Sequence, residues 1–199
     1  AAIEAADADS DVLVLERAGG GGGTSAMSTG QIYLGGGTRI QKACGFEDSP
    51  EAMFDYLMAS CGPEPDQAKI RAFCDHGVEH FEWLVKKGVP FKESFYGEGS
   101  YTPTDDCLSY SGSELAHPYP SIAKPAPRGH TVKQDGIEAG VQLMQSLLKA
   151  VEQTSTRVLC NVRTEALIQD DDQRVVGVVA TSLGEEQFYR ASKGVVLCA

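Results

Sequence analysis

The sequence predicts an α/β protein on a parallel sheet, with a helical and loop-rich excursion and a small antiparallel meander. Three observations predict it. The runs Val12–Leu15 and Val158–Cys160 are apolar at consecutive positions, as strands covered on both faces are. Between them, apolar residues recur at three- and four-residue spacing, the period of helices. After them, 163–169, 174–182 and 186–190 alternate or carry β-branched runs, divided by Asp170-Asp171-Asp172 and Gly184, which are turn signals.

Taken in order, residues 1–8, AAIEAADA, are helix formers. Residues 11–16 form a strand that ends on a carboxylate, Glu16, with Arg17 next. Five glycines follow at 19–23, a run whose backbone entropy excludes regular structure. A buried strand that delivers an acid at its tip, followed by side-chain-free backbone, is how nucleotide-binding α/β proteins hold a ribose. Glu16 is therefore expected to bind the ribose of an FAD-type dinucleotide, with the backbone of 22–30 close to the cofactor. An ordinary strand that happens to end in Glu is the bland alternative for this segment alone. The acid usually lies about 20 residues beyond the glycine fingerprint of the first strand–helix turn. That count places the fingerprint before residue 1, so the chain is expected to begin inside the first helix of a βαβ unit and to be a fragment. Ile32-Tyr33-Leu34 reads as strand, and a second glycine cluster, 35–37, follows it. Two glycine clusters around a short apolar run predict backbone wrapped round something flat.

Ser49-Pro50-Glu51 starts a helix, with Ser as N-cap, Pro in the first turn and an acid at the positive end. It is expected to run to about Ala59. Pro65-Asp66 begins a longer helix, 67–87, with Trp83 in the core and Gly88 as its stop. His76 and His80 stand four apart on it, which is metal-ligand spacing. Without a third clustered ligand they are expected to be a solvated or packing pair, and no metal site is assigned. Residues 89–119 have no clean period but many aromatics, among them Phe91, Phe95, Tyr96, Tyr101, Tyr110 and Tyr119. They are expected to be loops with short strands, either a lining for a flat apolar ligand or a cover for the neighbouring helices. Residues 121–130, SIAKPAPRGH, read as proline-rich and extended. Residues 135–153 form an amphipathic helix, and 194–199, GVVLCA, another buried strand.

The chain has 199 residues, 42% hydrophobic and 23% charged, enough for one domain with a sizeable core. Its net charge of −11 argues against a nucleic-acid partner. No apolar run approaches eighteen residues, so no membrane span is expected. The N-terminus is acidic and lacks the basic region of a signal peptide. The cysteines at 44, 61, 74, 107, 160 and 198 contain no C-x-x-C pair, a pattern that suits reduced thiols in a cytoplasmic protein.

One stretch carries a specific resemblance. The pattern ER-x₅-G-T-S-x₃-T-G-x-I-Y-L-G-G-G-T, from Glu16 to Thr38, resembles the second FAD-contact segment of the fumarate reductase and ketosteroid dehydrogenase flavoprotein superfamily. Within that superfamily the chain is most similar to the FAD-dependent 3-ketosteroid Δ4-(5α)-dehydrogenases. QKACGFEDSPE, GVPFKESFYGE, PAPRGH and the terminal RVVGVVA…GVVLCA fit that group, so the likeness runs over nearly the whole chain. The resemblance implies a partial FAD-binding Rossmann-like domain. Residues 1–45 would be its first part, 46–130 a helical and aromatic-loop excursion and 131–199 its continuation, with the cap and catalytic domain absent. It implies FAD as cofactor, with contacts from Glu16, Arg17, Gly23, Thr24, Ser25, Ser28, Thr29, Gly30 and Thr164. The last pairs with adenine through the backbone at 163–164. It implies oxidoreduction of a C–C bond next to a ketone, on a small apolar substrate of the steroid class. The family's catalytic tyrosines lie in the later half, so none is assigned here. Arg128 and His130 match an R-x-H of the family, and either position a ligand or anchor their loop. The family's final strand runs into a T-G-G turn at FAD, and this chain stops at Ala199. A fumarate or enoate reductase, and a non-catalytic nucleotide-binding module, are the competing readings.

Overall fold

The computed structural model describes residues 1–99, 103–134 and 138–198. They form two compact units, one of residues 1–23 with 148–199 and one of 24–147.

The first unit holds the parallel pair. Helix α1 (Ala2–Asp7) leads into strand β1 (Leu13–Leu15). Strand β5 (Arg157–Leu159) pairs with β1 in parallel, Val14 opposite Val158. The two apolar runs therefore meet as expected. Their burial is less than the sequence suggests, because sheet A has two strands here: β1 is half-buried and β5 exposed. The meander follows as β6 (Val162–Gln169), β7 (Val175–Ser182) and β8 (Glu185–Arg190), antiparallel in that order. Asp170 makes the first turn, its carboxylate accepting from the amides of Asp172 and Arg174. Gly184 makes the second at φ +84°, a value L-residues avoid. The ladder shifts register between Thr164 and Ala166, so the strand bulges one residue past Thr164. Residues 194–198 form no strand, contrary to expectation. A strand needs a hydrogen-bonded neighbour, and this segment has none among the described residues; Val196 is 72% exposed. The expected end of that strand, Ala199, lies outside the described residues.

The second unit is built on a three-stranded antiparallel sheet, β2 (Gln31–Tyr33), β4 (Gly129–Thr131) and β3 (Leu108–Ser109), with β4 in the middle. Ile32, His130 and Leu108 stand in one row across it. Their face packs into a core of Leu34, Ile40, Phe81, Leu84, Val89 and Val132. Helix α3 (Arg39–Ala43) starts with a capping box, Thr38 and Gln41 each accepting from the other's turn. Helix α4 (Pro50–Ser60) is capped by Ser49 as its sequence requires.

The helix expected over 67–87 is two: α5 (Gln67–Asp75), capped by Asp66, and α6 (Gly77–Lys86). His76 closes one and opens the other. Apolar periodicity runs across the break, so the pattern conceals it. It falls beside Gly77, where a Cβ would stand 2.9 Å from the Gly35 carbonyl oxygen. Trp83 is half-buried at the edge of the core, whose contribution from α6 is Phe81 and Leu84. Residues 121–130 are not extended throughout: a 3-10 turn covers Tyr119–Ser121, and the segment ends as the central strand β4. Both of its prolines, Pro125 and Pro127, precede the ladder, where a missing amide costs nothing. Helix α7 (Ala139–Glu152) belongs to this unit as far as Leu147. The expected start of that helix, 135–137, and the aromatic Tyr101 lie outside the described residues.

Candidate functional site

In the first unit the candidate residues gather at the tip of β1. The Glu16 amide donates to the Leu159 carbonyl at 2.8 Å, and the Val162 amide donates to the Glu16 carbonyl at 2.9 Å. The Asn161 amide donates to the Ala18 carbonyl at 2.9 Å. The parallel pair thus hands over directly to β6, and the strand-tip acid and the entrance of the meander form one corner. One carboxylate oxygen of Glu16 accepts from the Ala18 amide at 2.7 Å. This closes the turn and leaves the other oxygen for a ligand. Arg17 is exposed beside it.

Strand β6 is an edge strand. In an antiparallel strand the backbone groups of alternate residues face the same side. Val162 turns its amide away from β7, toward Glu16. Thr164, two residues on, therefore presents its amide and carbonyl on the same open edge, opposite the side where it pairs with Ala180. This is donor-and-acceptor backbone of the kind a purine edge can pair with. The glycine loop beside it has room. A Cβ on Gly20 or Gly23 would meet nothing within 4 Å, and Gly23 adopts φ +49°. A half-free carboxylate, an open strand edge and uncluttered backbone fit an adenosine-bearing coenzyme.

In the second unit Thr24 and Ser25, in the short helix α2 (Gly23–Ala26), and Ser28 and Thr29 just after it lie exposed on the turn that ends at Gly30. The last of the five glycines thus opens a helix, contrary to the expectation that the run holds no regular structure. The Ser28 hydroxyl donates to the Ser25 carbonyl at 2.7 Å and accepts from the Gly30 amide at 3.1 Å. The turn rests on β4 and α7: Val132 donates its amide to the Gly30 carbonyl, and Gly140 donates to the Ser28 carbonyl. Gly30, at φ +64°, has no room for a side chain, since a Cβ would stand 2.4 Å from the Ala139 carbonyl carbon.

The second glycine cluster has a different role from the one its sequence suggests. It wraps round protein. A Cβ on Gly35 would stand 2.6 Å from Asp48 Oδ2 and 3.1 Å from Arg128 Cδ. The amides of Gly36 and Gly37 donate to Asp48 and to Gln41. Arg128 makes two hydrogen bonds to the Asp48 carboxylate, 3.0 Å from Nε and 2.7 Å from Nη2, with both side chains 0% exposed. The Arg128 guanidinium lies over the Tyr56 ring, 5.6 Å from its centroid. Burial alone would raise the Asp48 carboxyl; Arg128, with Gly36 and Gln41, more than reverses this and holds it below the usual carboxylate range. Burial and the neighbouring Glu114 keep the Tyr33 hydroxyl protonated well above its ordinary range, and it donates to Glu114 at 2.9 Å. His130 is enclosed between Thr38, at 2.8 Å from Nε2, and the Arg128 carbonyl, at 3.1 Å from Nδ1. Burial pushes it down to about 4, so the ring is neutral. Arg128 and His130 therefore anchor this unit from within. His76 pairs with Glu79 at 2.8 Å on the surface, and the His80 ring lies tilted 6.3 Å from that of Trp83.

Three supporting residues escaped the sequence reading. Asn161 takes φ +57° at the corner, a conformation Asn tolerates better than most side chains. Gly140 stands inside a helical pattern, where an isolated glycine signals close packing. Asp48 gave no signal, because its partner is eighty residues away.

Three comparisons bear on this geometry. The FAD binding domain family model matches residues 1–199. The 3-oxo-5-alpha-steroid 4-dehydrogenase of Comamonas testosteroni is 34% identical over 192 residues, which cover 93% of this chain and 35% of that protein. A probable fumarate reductase of Shewanella frigidimarina is 23% identical over 197 residues, 99% of this chain and 29% of that one. Among solved structures, the 3-ketosteroid-delta4-(5alpha)-dehydrogenase of Rhodococcus jostii RHA1, in complex with 4-androstene-3,17-dione, superposes with a TM-score of 0.96 at 51% identity. That match covers 98% of this chain and 42% of the other, so the chain spans less than half the length of these relatives.

Proposed function

The chain belongs to the FAD binding domain family, and on that premise we propose that it is part of an FAD-dependent oxidoreductase acting on a CH–CH bond next to a ketone, with a 3-ketosteroid as substrate. The observation that carries the reading is the corner where Glu16, at the tip of β1, joins the open edge of β6 at Val162 and Thr164. The substrate class is supported by the likeness to the two steroid dehydrogenases, one of them solved with a 3-ketosteroid bound.

In this reading the free oxygen of Glu16 accepts from a ribose hydroxyl, and the backbone of Thr164 pairs with the adenine edge. Arg17 lends positive charge beside them. The glycine at 23 keeps side chains away from the coenzyme, and Thr24, Ser25, Ser28, Thr29 and Gly30 line its course. FAD supplies the hydride acceptor when bound. What these residues do is fix its position. The 46–130 segment supplies the excursion between the two stretches, 1–45 and 131–199, that hold the coenzyme. The cysteine pattern favours the cytoplasm, and among the described residues no helix is long and apolar enough to cross a membrane.

Anaerobic titration of the full-length protein tests the reading. A 3-ketosteroid is expected to bleach the visible flavin band, and fumarate to leave the reduced flavin unoxidised. A protein without flavin, or one reoxidised by fumarate and blind to steroid, would contradict it.

A further inference from the structure

We propose that Ser28 is a positioning residue, which together with Gly140 locks the turn 24–30 into the shape that takes the coenzyme; this rests on the reading above that the turn borders FAD. The hydroxyl of Ser28 spends its one proton and one of its two lone pairs inside the turn. Its proton goes to the Ser25 carbonyl at 2.7 Å, and its oxygen takes the Gly30 amide at 3.1 Å. The hydroxyls of Thr24, Ser25 and Thr29, exposed on the same turn, make no hydrogen bond within the described residues. The turn thus divides its labour: three hydroxyls stay available for a ligand, and the fourth shapes the backbone between them.

Gly140 completes the lock from α7. Its amide donates to the Ser28 carbonyl at 3.1 Å. A Cβ there would stand 2.4 Å from the Ser25 carbonyl oxygen and 2.5 Å from that of Ser28. These are backbone atoms, so a side chain at 140 must push the turn away. Gly140 is buried, and it acts on a ligand only through the turn it supports. Val132 fixes the other end through the Gly30 carbonyl at 3.2 Å.

The test uses the full-length flavoprotein stripped of flavin and titrated with FAD, the apo forms being melted in parallel. Ser28→Ala is expected to weaken FAD about tenfold, the scale of one lost hydrogen bond and an orphaned amide. Ser28→Thr, which keeps both bonds, is expected to bind within about twofold of wild type. Gly140→Ala is expected to be at least as weak as Ser28→Ala, and the double variant no weaker than the weaker single. The apo forms of the two Ser28 variants are expected to melt together. Wild-type affinity in Ser28→Ala, an equal loss in Ser28→Thr, or losses that multiply in the double variant would each overturn the lock. If Gly140→Ala fails to fold, the two Ser28 variants decide. A wild-type protein that takes up no FAD would instead overturn the reading beneath it, a different result.

Discussion

Removing Arg128 tests whether the R-x-H segment serves the fold or a ligand. Arg128→Met keeps much of the side chain's length and removes its charge. The Asp48 carboxylate, 0% exposed, then loses two charge-assisted hydrogen bonds and keeps the Gly36 amide and the Gln41 amide nitrogen. Two such bonds, at about 1.5–3 kcal/mol each, and the cost of breaking a buried pair, about 3–5 kcal/mol, agree on a loss near 4 kcal/mol. Asp48→Asn is expected to cost a similar amount, because it strands the guanidinium. The double variant is expected to be more stable than the sum implies, with a coupling of about 2 kcal/mol or more. Urea unfolding followed by circular dichroism measures all three. An Arg128→Met protein with the wild-type midpoint and no steroid turnover would refute the reasoning and return Arg128 to the ligand.

Three further outcomes follow from the same network and surface. His130 is held near 4, against about 6.5 when unfolded, so the folded state prefers the neutral ring. Its contribution is complete above about pH 6.5 and is lost as pH falls toward 4, up to about 3 kcal/mol; His130→Gln is expected to flatten that slope in unfolding midpoints, and an unchanged slope would contradict it. Gly35→Ala places a Cβ against Asp48 and Met53 and is expected to cost about 1–3 kcal/mol, whereas wild-type melting would show that the cluster is loosely packed. The 1–199 chain expressed alone exposes Phe188 at 67% and Val196 at 72%. It is expected to aggregate, and a monodisperse product on size exclusion would refute that.

Much of the fold is written locally. Ser49-Pro50 fixes the start of α4, Asp66 that of α5, and the apolar runs at 12–15 and 158–160 find each other in parallel. The meander is legible because its turns carry Asp170 and Gly184. What stayed hidden depends on distant partners. The break at His76 falls where Gly77 meets Gly35, and the second glycine cluster packs against Asp48, Pro50 and Arg128. Ile32-Tyr33-Leu34 announces a strand but not that its neighbour is the proline-flanked 129–131. Residues 194–198 have a strand's composition and no ladder. Of the candidate site, Glu16 and Thr164 were legible as residue types; their junction through Val162 was not.

The most direct measurement is FAD affinity in the full-length protein for Glu16→Ala beside Glu16→Gln. The amide oxygen of Gln can still accept from Ala18, so the pair separates the turn from the charge. Glu16→Ala is predicted to weaken FAD by about tenfold to a hundredfold, the scale of one charge-assisted hydrogen bond, with Glu16→Gln in between. Wild-type affinity in both variants would contradict the assignment of this strand tip to the ribose.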